Sequence, residues 1–121
     1  MKTRKKQALS LALALTLSLT AAHAAKETLT VYTAIEVDQL KEYEREFKKA
    51  NPDIDLRIVR DSTGVIAAKL LAEKDNPQAD VVWGVAITGL GVLNNEGLLT
   101  PYSPANAQNI DPKFKDHQDP P

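Results

Sequence analysis

Ser62, Thr63 and Gly64 are the residues of this chain whose types and spacing could do chemistry. They follow Leu56-Arg57-Ile58-Val59-Arg60, which alternates apolar and basic residues as a half-buried strand does. They precede Val65–Lys74, where Val65, Ile66, Ala67, Leu70 and Leu71 recur at the spacing of one helical face. A strand that enters a helix through two hydroxyls and a glycine sets them at the helix N-terminus. There, unpaired N–H groups and about half a positive charge favour an anion. Glycine lets the backbone come close to a phosphate, phosphonate or carboxylate. The competing reading is plain capping, in which Ser62 or Thr63 serves only its own helix and contributes about 1 kcal/mol.

The remaining elements decide whether such a turn has company. Thr28–Thr33 alternates and is rich in β-formers, so it reads as a first strand, and Val37–Ala50 reads as a helix with Val37, Leu40, Tyr43 and Phe47 on one stripe. Its charged residues form a solvated face. Asn51-Pro52-Asp53 stops that helix and Ile54–Arg60 is the second strand. After the Ser62–Gly64 turn and its helix, Asn76-Pro77 breaks the chain, and Asp80–Trp83 is a third strand, with Val81-Val82-Trp83 wholly apolar. Ala86–Asn94 is a third helix with Leu90 and Leu93 inward, Gly97 ends it, and Leu98–Tyr102 reads as a short extended segment. Three strand–helix alternations with an apolar strand at the centre predict an α/β fold: a three-layer, mostly parallel sheet with helices on both faces. In such sheets ligands sit beyond the carboxyl ends of the strands. The candidate binding residues are therefore Tyr32, Thr33 and Ala34 after the first strand, Ser62, Thr63 and Gly64 after the second, and Trp83 and Gly84 after the third. Packing is the alternative for Tyr32 and Trp83, and a turn requirement for Gly84.

Residues 1–24 carry an address. Lys2, Arg4, Lys5 and Lys6 form a basic head, Ala8–Leu19 is a run of twelve residues interrupted only by Ser10, Thr16 and Ser18, and Ala22-His23-Ala24 supplies a small-residue cleavage site. These are the three parts of a secretory signal peptide, cut after Ala24, and the apolar run is short for a membrane span. Cleavage removes four basic residues and no acidic ones, which leaves 97 residues with a net charge of −5. That balance argues against nucleic acid and anionic membranes. Cysteine is absent, so disulfides and thiolate metal sites are excluded. His117 lies in a polar tail, and neither Ser62 nor Ser103 has a histidine nearby in sequence to act as its base. Asp61-Ser62-Thr63-Gly64 differs from the Asp-Thr-Gly loop of aspartic proteases by one inserted residue, and has no second copy. No catalytic group, no metal and no cofactor is expected: the chain reads as a binding protein and not an enzyme.

Several segments together resemble the exported solute-binding proteins of ABC importers, in the branch that holds 2-aminoethylphosphonate-binding and ferric-ion-binding proteins. The resemblance rests on Val31–Ala34, on Asp61-Ser62-Thr63-Gly64 with Val65–Lys74, on Asn76-Pro77-Gln78-Ala79-Asp80-Val81-Val82-Trp83-Gly84, and on Leu93–Pro101 with its Glu96-Gly97-Leu98-Leu99 core. It implies one lobe of a hinged, two-lobed type II periplasmic binding protein, here incomplete. Residues 25–102 would form a partial N-terminal lobe, and residues 103–121 a polar, proline-rich tail where the family continues. The implied ligand is a small anionic solute, with 2-aminoethylphosphonate favoured because a phosphonate dianion suits the Ser62–Gly64 amides. Ferric iron is the alternative, although the tyrosine pair that such proteins use late in the chain has no counterpart here. The implied partner is an inner-membrane permease, the location the periplasm, and the state a monomer. A free-standing exported α/β interaction module and a truncated product without function are the readings from other classes. One lobe alone implies marginal stability, an exposed sheet edge and weak affinity.

Overall fold

The computed structural model describes residues 26–115. The signal-peptide segment, His117 and the closing Asp119-Pro120-Pro121 lie outside the described residues. Six elements alternate along the chain: β1 (Glu27–Thr33), α1 (Val37–Ala50), β2 (Ile54–Arg60), α2 (Thr63–Ala72), β3 (Val81–Trp83) and α3 (Ile87–Asn95). Two short 3-10 turns follow, at Ala107–Asn109 and Pro112–Phe114.

The three strands form one parallel sheet in the order β2-β1-β3. The wholly apolar strand is therefore an edge strand, contrary to the central place its composition predicts. β1 takes the centre and β3 pairs only with β1, through Val31–Thr33 against Val81–Trp83. Val81 accordingly remains 42% exposed, which gives the open edge that the sequence predicts. Pairing between strands separated by a helix is non-local, so the apolarity of a strand does not fix its rank in the sheet.

Side-chain alternation assigns the helices to the two faces. Leu29, Val31, Leu56, Ile58, Val81 and Trp83 point one way and meet Tyr43 and Phe47 of α1 around an open apolar cleft of about 450 Å³. Tyr32, Val59 and Val82 point the other way, where Tyr32, Ile66 of α2 and Val85 form the buried cluster, with Leu70 and Leu90 packed around it. This is the expected three-layer arrangement.

Local signals set the element ends. α1 carries Asp38 in its first turn and Lys48 and Lys49 in its last, which complements the helix dipole. Asn51 then closes it, its side-chain amide and its backbone N–H both donating to Phe47 O at 2.9 Å. α3 ends at Gly97, where φ is +69° and Leu98 N–H donates back to Leu93 O at 3.0 Å. The extended segment expected at Leu98–Tyr102 does not form a strand.

Candidate anion-binding site at the strand ends

Thr33, Arg60 and Trp83 stand side by side: Thr33 pairs with Arg60 across β1–β2 and with Trp83 across β1–β3. The three strands thus end level, and three turns leave the sheet from one row. Direct contacts tie the turns together. Asp61 N–H donates to Thr33 O at 3.2 Å, and Arg60 Nε donates to Ile35 O at 3.0 Å. Ile35 N–H donates to Thr33 Oγ1 at 3.1 Å, and Ala86 N–H donates to Thr63 Oγ1 at 3.2 Å. The convergence expected from strand order is present.

Two helices begin here. Ser62 is the N-cap of α2, in extended conformation with ψ 157°, and its hydroxyl accepts from Val65 N–H at a long 3.5 Å. The capping reading of Ser62 is therefore realised. It uses one first-turn donor and leaves those of Thr63 and Gly64 without an intrahelical acceptor. Gly64 borders open space, with no side chain or other segment of the described residues, its sequence neighbours aside, within 4 Å of where a Cβ would stand. α3 starts at Ala86, which offers no side-chain cap, and Thr63 Oγ1 joins that start to the start of α2. Neither helix has an acidic residue in its first turn, whereas α1 does. Two positive helix ends thus meet without a carboxylate inside either first turn to answer them.

The charged side chains close by, Arg60 against Asp61 and Glu36, leave one net negative charge. Asp61 Oδ1 accepts from Ser62 N–H at 2.7 Å, and Arg60 Nη2 donates to Glu36 Oε2 at 3.1 Å. An anion at this row would be held by amides and hydroxyls, not by a free cation. That is directional binding of a tetrahedral or planar oxyanion.

Not every candidate side chain is at the row. Tyr32 is 3% exposed and its phenol donates to Glu73 Oε2 at 2.9 Å. Glu73 caps the far end of α2, a helix of ten residues and so about 15 Å long. The Tyr32 side chain is a core group directed away from the turns, which leaves its backbone at the strand end. The Trp83 ring lies against Tyr43, edge to face at 5.2 Å, within the α1 cleft and on the opposite face from Tyr32. Thr33 is fully buried with its hydroxyl given to Ile35, which leaves only its backbone at the row. Ala34 packs on the buried cluster. Gly84 takes φ +63°, and a Cβ there would stand 2.3 Å from Ile35 Cγ1, so it serves the turn first. The residues left open are Ser62, Thr63 and Gly64. Arg60 and Ala86 escaped the sequence reading. A signal existed for Arg60, since period two puts it on the apolar Leu56–Ile58 face.

Tyr32, Glu73 and Lys69 form a small titratable cluster. Lys69 Nζ lies 2.5 Å from Glu73 Oε1 and 5.3 Å from the Tyr32 ring centre. The Lys69 hydrogen bond lowers the pKa of Glu73, burial and then the Glu73 hydrogen bond raise that of Tyr32, and the Glu73 hydrogen bond raises that of Lys69. A lowered carboxyl pKa stabilises the fold above its ordinary 4.5 and loses that effect as pH falls through the folded value. The raised phenol and ammonium stabilise below 10.0 and 10.5, and that effect is lost as pH rises past them. Melting curves against pH should show a plateau with a fall on each side, and Glu73→Gln should flatten both limbs. Limbs of undiminished slope in that variant would show that other groups set them.

No protein-family model matches the chain. It is 36% identical over 90 residues to the probable ABC transporter periplasmic-binding protein y4fP of Sinorhizobium fredii, a match covering 74% of this chain and 25% of that protein. Among solved structures, the periplasmic binding protein P5PA superposes with a TM-score of 0.66 at 32% identity, over 73% of this chain and 28% of its own. The fold is that of part of a periplasmic binding protein. AfuA of Actinobacillus pleuropneumoniae, solved with exogenous fructose-6-phosphate bound, is similar to this chain at 31% identity and TM-score 0.68, covering 74% of this chain and 28% of AfuA. Iron-bound HitA of Pseudomonas aeruginosa shares the fold at 22% identity, TM-score 0.68, over 75% of this chain and 29% of HitA. The chain spans about a quarter of the length of the curated relative it matches. These matches are to binding proteins and not to enzymes.

Proposed function

We propose that this chain is part of the solute-binding component of an ABC importer, exported by residues 1–24 to the periplasm, where it holds a small anionic solute and passes it to an inner-membrane permease. The observation that carries this reading is the junction of two helix N-termini, α2 and α3, through Thr63 Oγ1 and Ala86 N–H, at the level ends of three parallel strands. The Thr63 and Gly64 amides and the Ser62 hydroxyl take the oxyanion, and the backbone of Thr33, Ala34 and Gly84 forms the neighbouring wall. A phosphonyl or phosphoryl dianion fits best, since its several oxygens can accept from donors on both helix starts at once. 2-Aminoethylphosphonate is the first candidate solute. The fructose-6-phosphate in AfuA, a relative above 30% identity, supports a phosphorus oxyanion as the group recognised.

A ferric cargo is the weaker reading. Among the described residues no three His, Cys, Asp or Glu side chains gather closely enough to hold a metal, so its donors would have to come from elsewhere. The test is a titration of the 121-residue chain with 2-aminoethylphosphonate, inorganic phosphate, fructose-6-phosphate and ferric citrate, followed by amide NMR at low ionic strength. The phosphorus oxyanions should shift the Thr63 and Gly64 amides with millimolar affinity, because the chain offers one wall of a cleft. A response to ferric citrate alone, or no response at these amides, would overturn the reading.

A further inference from the structure

Arg60 ends β2 within the strand-end row and points onto the face of Leu56 and Ile58, where the strand pattern calls for an apolar residue. Its guanidinium makes two bonds, Nε to Ile35 O at 3.0 Å and Nη2 to Glu36 Oε2 at 3.1 Å. The Glu36 carboxylate is 80% exposed, so that ion pair contributes little. The bond to the carbonyl is the one with structural consequence. We propose that Arg60 is a positioning residue of the strand-end site: by pinning Ile35 it holds the β1–α1 turn across Gly84 and fixes the three turns relative to one another. This rests on the anion-binding reading above.

Ile35 is held at three points. Its N–H is bound by the buried Thr33 hydroxyl, its carbonyl by Arg60, and its side chain lies so close to Gly84 that no Cβ fits between them. Gly84 leads through the buried Val85 to Ala86, whose N–H binds Thr63 Oγ1. The contacts make a closed circuit: out from β2 at Arg60, across Ile35 and Gly84, and back to α2 at Thr63. Ser62 lies between the two ends of that circuit in sequence. Releasing Arg60 opens it at the point where β1 meets β2, and leaves the junction of the α2 and α3 starts without its support from Ile35. Arginine suits the position because its planar fork serves two acceptors at a fixed angle, whereas lysine can serve the carbonyl alone.

Amide NMR on the 121-residue chain tests this with two variants. In Arg60→Ala the Ile35, Gly84 and Ala86 amides should shift without any ligand, and affinity for inorganic phosphate read at Thr63 and Gly64 should fall about fivefold, the loss expected from one hydrogen bond. Arg60→Lys should return that affinity to within about twofold of the original, through the carbonyl bond it can still make. The proposal is overturned if Arg60→Ala leaves these amides and the affinity unchanged, or if Arg60→Lys melts like the parent chain yet binds phosphate as poorly as the alanine variant. If the parent chain binds no phosphate, the anion-binding reading is what falls. The pinning of Ile35 is then judged by the Ile35, Gly84 and Ala86 shifts in the phosphate-free variants alone.

Discussion

Replacing Gly84 with alanine should lower the stability of this chain by about 3 kcal/mol, and two separable causes contribute. The backbone there has φ +63°, a left-handed conformation that costs a residue with a Cβ roughly 1–2 kcal/mol. The new Cβ would stand 2.3 Å from Ile35 Cγ1 and 2.4 Å from Ile35 Cδ1, and such overpacking costs typically about 1–3 kcal/mol. Both backbone polar groups of Ile35 are bonded, so relief must come from its side chain, which is β-branched and stiff at χ1. For a chain of this size the melting midpoint should drop by on the order of 15 °C. Adding Ile35→Ala separates the causes, because it removes the clash and leaves the strained backbone. The double variant should therefore recover part of the loss relative to Gly84→Ala. A Gly84→Ala midpoint equal to that of the parent chain would mean that the third strand does not turn as described, and the wall beside Ser62–Gly64 would be lost with it.

The elements of this fold were legible wherever period and punctuation agree. α1 and β2 begin and end where the sequence places them, since one has a clear stripe closed by Asn51-Pro52 and the other alternates from Ile54 to Ile58. α2 was harder to delimit. It starts at Thr63, two residues before the apolar periodicity does, because the hydroxyls and glycine that make its N-terminus useful are poor helix formers and hide it. The sheet order was not legible, because the partners of a parallel strand are chosen by packing across intervening helices.

The site was half legible, for a physical reason. A strand–turn–helix order dictates where backbone amides end up, so Ser62, Thr63 and Gly64 are where the sequence puts them. It does not dictate where an aromatic at a strand end will point. Tyr32 is drawn down into the core by Glu73, 41 positions later in the chain, and Trp83 by Tyr43, 40 positions earlier. Side chains take the burial available to them, and that depends on residues far off in sequence. Arg60 was overlooked although its phase on the apolar face marks it, because its partner, the Ile35 carbonyl, lies 25 positions earlier in the chain.

The most direct measurement is phosphate binding by Gly64→Asp, followed by amide NMR beside a melting curve on the same sample. Aspartate at the second helical position supplies its own carboxylate to the α2 N-terminus and replaces a poor helix former, so the midpoint should stay level or rise. Beyond the helix's own backbone and its sequence neighbours, none of the described residues stands within 4 Å of the new Cβ, so no packing is displaced. The carboxylate then competes for the amides and repels an incoming dianion, by about 1 kcal/mol or more for each pair of unit charges at 4 Å. Phosphate affinity should fall at least about tenfold with stability intact. Phosphate bound as tightly by this variant as by the parent chain would contradict anion capture at the start of α2.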